Sequence, residues 1–301
     1  MSTVSYDYAC ALRDILGHEP IIVTSRPKST YPIEAFSQFH PCLYDDPTEL
    51  PSIIEKEKID LLYMTKAGNR DTITPTNVKT AIHCVFDMRE PHGTVYAGVS
   101  EWLAKFFNKE LWVPHIINLP KTDATLHDEL SIPRDAFIVG RLGGYEQFDL
   151  PMAHAAVKTA LEKRPDFWAI FLNTKPFIDH PRAKFVPFHP DLMFKSKFIN
   201  TCDAMLHARS DGETFGLAVG EFSSYNKPII TFDADYWWYM RAHIHMLGDR
   251  AILYKNEAEL TSYLLQLDKE YISGVDWDRY SIPYSPTNVI NQFNEVFLKN
   301  N

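Results

Sequence analysis

Short apolar runs alternate with stretches of helical hydrophobic spacing along most of this 301-residue chain. Seven of the runs predict β-strands: PIIVTS at 20–25, DLLYMT at 60–65, AIHCVF at 81–86, AFIVGR at 136–141, WAIFLN at 168–173, AMLHA at 204–208 and PIITFD at 228–233. Strands that alternate with helices are typical of parallel sheets whose faces are covered by helices. The pattern therefore predicts an α/β protein with parallel sheets.

One segment interrupts this rhythm. Residues 112–135, WVPHIINLPKTDATLHDELSIPRD, combine prolines with many polar residues, and a new predicted strand starts directly after them. We interpret this segment as the connection between two Rossmann-like domains, an N-terminal domain at 1–120 and a C-terminal domain at 121–284. The last run, 285–301, begins with a serine suited to an N-cap and has helical apolar spacing, so it predicts a C-terminal helix.

Composition narrows the class of protein. With 45% hydrophobic residues, a chain of this length can bury one large core or two moderate cores, and two domains are expected. The sequence predicts no transmembrane segment and shows no signal-peptide pattern, so a cytoplasmic location is expected. The net charge of −9 argues against a nucleic-acid partner, because phosphate backbones attract a concentrated basic face. The four cysteines are widely spaced, which predicts reduced thiols rather than disulfides or a zinc site.

The strongest functional signal is the segment SDGETFGLAVGEF at 210–222. Because it lies between two predicted strands, a connecting helix is expected from about Phe215 to Tyr225. Gly216 and Leu217 would stand at the start of that helix. Free backbone N–H groups and the helix dipole meet there, and together they favour a phosphate or a diphosphate.

Two glutamates flank the start of the same helix. Glu213 precedes it and Glu221 lies one to two turns inside it, so both carboxylates are expected to point toward one crevice. Carboxylates accept hydrogen bonds from sugar hydroxyls. A nucleotide sugar presents such hydroxyls on both sides of its diphosphate, on the ribose and on the transferred sugar. The segment therefore predicts a nucleotide-sugar site.

With T-F-G-L between its glutamates, this segment resembles the E-x7-E donor site of retaining GT-B glycosyltransferases, especially those of family 4. The resemblance implies two Rossmann-like domains with an interdomain cleft, and a C-terminal helix that crosses back to the first domain. It also implies that Glu221 binds the ribose and that Glu213 faces the donor sugar. The diphosphate would lie against the turn formed by Phe215, Gly216 and Leu217.

The same family has an arginine at a strand end and a lysine several residues later, and both reach the donor diphosphate. Arg141 matches the arginine, but Glu146 and Gln147 stand where the lysine is expected. We expect Arg209 to replace that lysine, because an arginine fork neutralises a diphosphate with good geometry. The alternative for both arginines is an ordinary salt bridge. No tightly bound cofactor is implied, and a divalent cation is compatible with the missing lysine without being implied.

Three further candidates come from the resemblance. His83, near the end of a first-domain strand, matches a family histidine close to the donor sugar, so we group it with Glu213 and Arg141 as catalytic candidates. Its alternative is a core histidine in an apolar strand. Lys175 and Val186 lie in segments expected to contact the nucleoside base. These segments do not distinguish guanine from uracil, so GDP-mannose and UDP-glucose are both candidate donors.

Two aromatic or histidine clusters are assigned structural roles. Residues Tyr236, Trp237, Trp238 and Tyr239 could stack on a sugar, but their density favours a role in covering a domain edge. His243 and His245 have a spacing that suits a metal, yet no third ligand stands near them in the sequence. We therefore predict no metal site.

The N-terminal region departs from the family pattern. GT-B amino-terminal domains begin with a strand and a glycine-rich loop, whereas this chain starts at or near the first helix. The first strand is therefore expected to be missing. Either the protein is a short form, like those encoded by large DNA viruses and active in the host cytoplasm, or the chain begins late.

The combined prediction is a retaining glycosyltransferase that moves a hexose from a nucleotide diphosphate sugar to a sugar or glycan hydroxyl. Two alternatives stay open. One is a nucleotide-sugar epimerase of the same fold, which needs no acceptor. The other is a non-catalytic module that only binds a nucleotide sugar.

Overall fold

The computed structural model describes residues 3–26, 33–233 and 240–299. The chain divides into two compact units: unit 1 comprises Met1–Ile116 with Ile282–Asn301, and unit 2 comprises Ile117–Ser281. Every strand pairing within the described ranges is parallel. The aromatic cluster at 236–239 lies outside the described residues.

Among its described residues, unit 1 has five strands in two sheets, with the orders β1-β2 and β3-β4-β5. Its elements are α1 (Thr3–Asp14), β1 (Val23–Ser25), β2 (Cys42–Tyr44), α2 (Leu50–Lys56), β3 (Leu61–Lys66), β4 (Lys79–Cys84), β5 (Val95–Gly98), α3 (Glu101–Phe106) and, from the end of the chain, the helix Pro286–Phe293. Short 3-10 turns at Ile33–Phe39 and Pro47–Glu49 precede β2 and α2, and a π-helical turn at Asn294–Lys299 follows the last helix.

The core of unit 1 joins the two ends of the chain. Tyr8 of α1, Tyr63 of β3 and Phe293 of the C-terminal helix pack with ring centroids 5.1–5.5 Å apart. The C-terminal helix is capped by Ser285, whose side chain accepts a hydrogen bond from the backbone N–H of Asn288. Its three fully buried residues are Val289, Ile290 and Phe293. The apolar spacing read from the sequence therefore matches the face that this helix buries.

A cavity of about 630 Å³ lies in unit 1, lined by α1, by the edges of β1 and β3, and by the C-terminal helix. Within the described ranges β1 pairs with β2, and β3 pairs with β4. Strands β1 and β3 do not pair with each other. No strand precedes α1 among the described residues.

Unit 2 is built on one six-stranded sheet with the order β11-β10-β9-β6-β7-β8. Its elements are α4 (His127–Leu130), β6 (Phe137–Leu142), α5 (Pro151–Lys163), β7 (Phe167–Leu172), β8 (Ala183–Val186), α6 (Leu192–Thr201), β9 (Ala204–His207), α7 (Leu217–Ser223), β10 (Ile229–Phe232), α8 (Ala242–Leu247), β11 (Ala251–Tyr254), α9 (Glu257–Gln266) and α10 (Lys269–Ser273). The C-terminal helix of unit 1 is α11.

Apolar residues on one face of this sheet form the main core of unit 2. Phe137 and Val139 of β6 pack in one cluster with the buried residues of α5 and with Leu260 and Leu264 of α9. Buried residues of α6 and α7 contribute a second set, which includes Phe198, Ile199, Val219 and Phe222. Parallel sheets require such cover, because their central strands are apolar throughout.

The strand order fixes where a ligand can bind in unit 2. After β6 the chain adds β7 and β8 on one side, and then crosses to β9, β10 and β11 on the other side. Strands β6 and β9 are neighbours, with Val139 opposite Ala204. In open α/β sheets, ligands bind outside the carboxyl ends of the strands where the order reverses. The loops after β6 and β9 flank that point.

All seven predicted strands are present, and the helix expected at 215–225 is α7 at Leu217–Ser223. Four strands were not predicted: β2, β5, β8 and β11, each of three or four residues. Such short strands offer too few positions for an apolar alternation to stand out. No helix in the described part of the chain is long and apolar enough to span a membrane.

Candidate functional site

The turn before α7 depends on a glycine. Gly216 has a φ of 81°, in the left-handed region, and forms the N-cap of the seven-residue helix α7. A Cβ at this position would lie 2.9 Å from the Cβ of His243 and 3.3 Å from the Cβ of Val219. Any larger residue would therefore meet both backbone strain and steric overlap.

Gly216→Ala is accordingly expected to lower the free energy of unfolding by about 1–2 kcal/mol, the range for a non-glycine residue held in this backbone region. Urea unfolding would measure the change. Gly274→Ala is the matched control, because Gly274 has a φ of −81° and a Cβ there would make only ordinary contacts, at 3.7 Å or more. Equal stability of the Gly216 variant and the control would contradict the predicted strain.

Glu213 lies between two basic side chains after β9. Its Oε1 is 3.4 Å from Nε2 of His207, and its Oε2 accepts a hydrogen bond of 3.1 Å from Nη1 of Arg209. The backbone is fixed as well, because the Glu213 N–H donates to the carbonyl of Met240 and the Ala242 N–H donates to the carbonyl of Glu213. Burial raises the pKa of Glu213, but the hydrogen bond with His207 and the electrostatic attraction to His207 and Arg209 outweigh burial and lower the pKa to about 2. Glu213 is therefore a carboxylate at neutral pH.

A buried hydrogen-bond chain supports this carboxylate from the core. His207 Nδ1 lies 2.8 Å from Oγ1 of Thr231, and the same hydroxyl lies 3.0 Å from Nε2 of His243. All three residues are buried. Burial lowers the pKa of His243 to about 3, so His243 stays neutral. A structural role for His243 is expected from the sequence. His207 has no signal there except its place at the carboxyl end of a predicted strand.

Glu221 lies inside α7 and is paired with a lysine. Its Oε1 is 2.7 Å from Nζ of Lys195, which projects from α6. The side chain of Glu221 is 5% exposed and that of Lys195 is 17% exposed, so this ion pair is largely shielded from solvent. Lys195 was not among the site residues predicted from the sequence. The two residues are 26 positions apart, and nothing in the local sequence predicts that α6 and α7 bring them together.

Arg141 lies near the end of β6 and is only 4% exposed. Its Nη1 donates to Oγ1 of Thr174 at 2.6 Å and to the carbonyl of Asn173 at 3.2 Å, and its Nη2 donates to the carbonyl of Gly144 at 2.8 Å. Burial lowers the pKa of Arg141 to about 10, partly offset by Glu213 and Asp149. The arginine therefore stays charged at neutral pH and also fixes the loops after β6 and β7.

Gly143 makes this arrangement sterically feasible. It has a φ of 156°, and a Cβ there would lie 2.8 Å from Nη2 of Arg141. The absence of a side chain lets the guanidinium group lie against the loop.

Arg209 occupies the loop after β9 and is paired with Glu213 and, at 4.0 Å, with Asp211. Asp149 fixes this loop, because its carboxylate accepts hydrogen bonds from the backbone N–H and the hydroxyl of Ser210. The loops after β6 and β9 thus place two arginines and Glu213 at the switch point of the sheet. The electrostatic effect of both Glu213 and Arg209 on Arg141 reflects this grouping.

The two base-contact candidates border the loops after β6 and β7. Val186 ends β8 and accepts a backbone hydrogen bond from Asn173. Lys175 is exposed, and its Nζ lies 3.4 Å from the carboxylate of Glu146. Neither contact indicates a base, so both assignments stay predictions.

His83 lies in unit 1, on β4, and is fully buried. Its Nδ1 is 2.6 Å from the hydroxyl of Tyr63, and its Nε2 is 2.7 Å from the carbonyl of Val113. Burial lowers the pKa of His83 to about 4. Both ring nitrogens are therefore engaged inside unit 1, which is the arrangement of a core histidine, the alternative considered from the sequence.

Metal ligands are not gathered in the described part of the chain: no group of three or more His, Cys, Asp or Glu residues there could hold a metal ion. His243 is one of the two histidines whose spacing suits a metal, and its Nε2 lies within hydrogen-bond distance of Oγ1 of Thr231.

No family model and no curated protein matches this chain. Solved structures do have a similar fold. A glycosyltransferase from Rickettsia africae ESF-5 is 13% identical, with a TM-score of 0.68 over 99% of this chain and 95% of that chain. Anabaena Alr3699/HepE in complex with UDP-glucose is 14% identical, with a TM-score of 0.71 over 97% of this chain and 94% of that chain. AviGT4, a glycosyltransferase involved in avilamycin A biosynthesis, is 11% identical, with a TM-score of 0.61 over 98% of this chain and 88% of that chain.

The fold is that of the GT-B glycosyltransferases. The predicted class, α/β with parallel sheets and two Rossmann-like domains, is confirmed. Similarity at these identities establishes the fold alone, because a fold can host many activities. What the site does has to be argued from its own residues.

Proposed function

We propose that this chain is a retaining glycosyltransferase that transfers a hexose from a nucleotide diphosphate sugar to a sugar or glycan hydroxyl. One observation carries the proposal. Both glutamates of the E-x7-E segment are held as ion pairs near the switch point of the six-stranded sheet, Glu213 by Arg209 and Glu221 by Lys195. Carboxylates fixed in this way can accept hydrogen bonds from hydroxyls on both sides of a diphosphate.

Each glutamate has its own role in the proposal. Glu221 accepts hydrogen bonds from the ribose hydroxyls, and Glu213 accepts one from the hexose. The position of Glu213 supports this assignment, because the arginines expected beside the diphosphate also lie around its carboxylate. Phe215, Gly216 and Leu217 form the turn between the two glutamates. Their proposed contact with the diphosphate rests on the resemblance.

The arginines stabilise the leaving group in this mechanism. Negative charge grows on the diphosphate as the glycosidic bond breaks, so a fixed positive charge nearby stabilises the transition state more than the bound donor. Arg209 supplies such a charge from the loop after β9. Arg141 adds a second charge, although three of its N–H groups already bind Thr174, Asn173 and Gly144.

UDP-glucose is the donor that we propose to test first. HepE, whose fold this chain shares, was solved with UDP-glucose and also with UDP and glucose. GDP-mannose is the second donor to test, because Val186 and Lys175 do not distinguish the two bases. The acceptor is proposed only as a class, a sugar or glycan hydroxyl.

The decisive experiment follows free nucleotide diphosphate and the fate of the sugar, with donor alone and with a panel of sugar acceptors. A transferase releases UDP or GDP when the right acceptor is added, and the sugar appears in a new glycoside. An isomerised sugar formed without acceptor would indicate an epimerase. Donor binding with no change in the sugar under any condition would indicate a binding module.

The contribution of Arg209 can be measured without knowing the acceptor. Arg209→Ala is expected to weaken the binding of the free nucleotide diphosphate about tenfold or more, the effect of losing one hydrogen bond to a charged group. The affinity for the nucleoside alone should not change, because it lacks the phosphates. Calorimetry with UDP and uridine provides both values. Equal affinities of the variant and the unchanged protein for UDP would remove Arg209 from the phosphate site.

Retention is expected because neither Glu213 nor His83, the two base candidates, is available to deprotonate the acceptor. In an inverting reaction a carboxylate or histidine deprotonates the acceptor, whereas a phosphate oxygen of the donor can take that proton in a same-face reaction. Glu213 is committed to the donor sugar, and both nitrogens of His83 are engaged within unit 1. An α-linked donor should therefore give an α-linked product. Proton NMR of the anomeric signal decides this, and a β-linked product would overturn the mechanism.

A further inference from the structure

In the pair formed by Lys195 and Glu221, the two oxygens of the carboxylate differ in their surroundings. Glu221 Oε1 is bound by Lys195 at 2.7 Å, while Oε2 accepts no hydrogen bond from the described residues. Oε2 is also absent from the fully buried polar atoms that lack a partner, so it keeps some access to solvent. One oxygen of the carboxylate is fixed, and the other is accessible to a ligand.

Lys195 controls the state of that second oxygen. The Glu221 side chain is 5% exposed, and burying a carboxylate is costly unless a positive charge pairs with it. Lys195 supplies this charge and, through a hydrogen bond of 2.7 Å, also fixes the orientation of the carboxylate. Without the lysine, the carboxylate would lose the cation that orients it, and it would become a weaker acceptor.

We infer that Lys195 is a positioning residue that makes the Glu221 site selective for ribose over deoxyribose. The inference rests on the proposed function, in which Glu221 accepts hydrogen bonds from the ribose hydroxyls. The 2′-hydroxyl is the group that separates ribose from deoxyribose. A charged, oriented acceptor gains from that hydroxyl one strong hydrogen bond that a 2′-deoxy sugar cannot supply.

The test compares the affinity of UDP with that of 2′-deoxy-UDP by calorimetry. GDP and 2′-deoxy-GDP are used instead if GDP binds more tightly. The unchanged protein is expected to prefer the ribonucleotide about tenfold or more, the effect of one hydrogen bond to a charged group. Lys195→Met, which keeps the length of the side chain and removes its charge, should reduce this preference below about threefold. Lys195→Arg restores a cation and should recover most of the preference.

Lys197→Met is the matched control. Lys197 lies on the same helix α6, two residues away, and no ion pair involves it among the described residues. Its substitution should leave the preference for the ribonucleotide unchanged. If Lys195→Met does not unfold cooperatively, Lys195→Gln takes its place. This variant keeps a neutral donor beside Glu221, and the preference should still fall at least about threefold, because a neutral hydrogen bond is weaker than a charged one.

The outcomes separate the inference from the proposed function. If the unchanged protein binds neither UDP nor GDP, the proposed function fails and the inference fails with it. If the protein binds them but Lys195→Met keeps the full preference for ribose, the inference alone is overturned. A loss of affinity that is equal for the ribonucleotide and the deoxyribonucleotide would also overturn it, because it would place Lys195 at the phosphates or the base.

Discussion

Glu213→Gln is expected to reduce the turnover of donor and acceptor by about 10²-fold to 10³-fold, the usual effect of removing one charged group that acts in the transition state. The affinity for free UDP or GDP should stay within about twofold, because Glu213 is proposed to contact the hexose and not the nucleotide. Steady-state kinetics and calorimetry on the same variant give both values.

A suitable control is Glu162→Gln on α5, where the glutamate side chain is 58% exposed and makes only a 4.0 Å pair with Lys158. Turnover by this control should be unchanged. If Glu213→Gln lost nucleotide affinity in parallel with turnover, the roles of Glu213 and Glu221 would have been assigned wrongly.

The lowered pKa of Glu213 also predicts how the free energy of unfolding depends on pH. Its pKa is about 2 in the folded protein against an ordinary value of 4.5. A group whose pKa is lower in the folded state stabilises the protein, and its full contribution is present at pH values above the unfolded-state pKa. For Glu213 this stabilisation is lost as the pH falls from about 4.5 to about 2. The shift corresponds to about 3 kcal/mol. Urea unfolding should therefore show Glu213→Gln to be less stable than the unchanged protein at pH 7. A stability difference that persists undiminished at acidic pH would contradict the charged pairing.

Glu221→Ala is expected to weaken UDP or GDP binding about tenfold or more, even without a sugar attached, because the ribose hydroxyls lose a charged acceptor. It should also lower the free energy of unfolding by about 3 kcal/mol, since it leaves the ammonium group of Lys195 without its partner. This figure is at the low end for a broken buried pair, because Lys195 retains 17% exposure. Calorimetry and urea unfolding measure the two effects.

Glu270→Ala provides the comparison, because Glu270 is exposed on α10 in the same unit. Its effect on unfolding should stay within about 0.5 kcal/mol. Nucleotide affinity in Glu221→Ala equal to that of the unchanged protein would remove Glu221 from the ribose site, whatever happened to stability.

The elements that the sequence predicted share one property: each carries its signal within a few neighbouring residues. The strand at 136–141 and the C-terminal helix are examples, because apolar runs and helical spacing are local patterns. The glycine before α7 is another, since a backbone conformation that only glycine adopts without strain belongs to a single residue. The four strands that escaped prediction all lie at sheet edges, where each pairs with one predicted strand and is positioned by that pairing rather than by its own pattern.

The candidate site also combines residues that the sequence predicted with residues that it did not. The E-x7-E spacing and the strands on both sides pointed to Glu213 and Glu221 from sequence alone. The partners of these glutamates could not be read there. His207 reaches Glu213 because β9 ends at the turn before α7, and Lys195 reaches Glu221 because α6 and α7 bring the two side chains together.

The sequence by itself determined the α/β alternation, the connecting helix and the two carboxylates, because these depend on the chemistry of adjacent residues. Only the tertiary structure decided which charges meet. It placed His83 in a core with both ring nitrogens engaged, and it directed three N–H groups of Arg141 to protein oxygens. The physical reason is that an ion pair or a buried hydrogen bond depends on distances of about 3 Å between residues far apart in the chain, and those distances are set by packing.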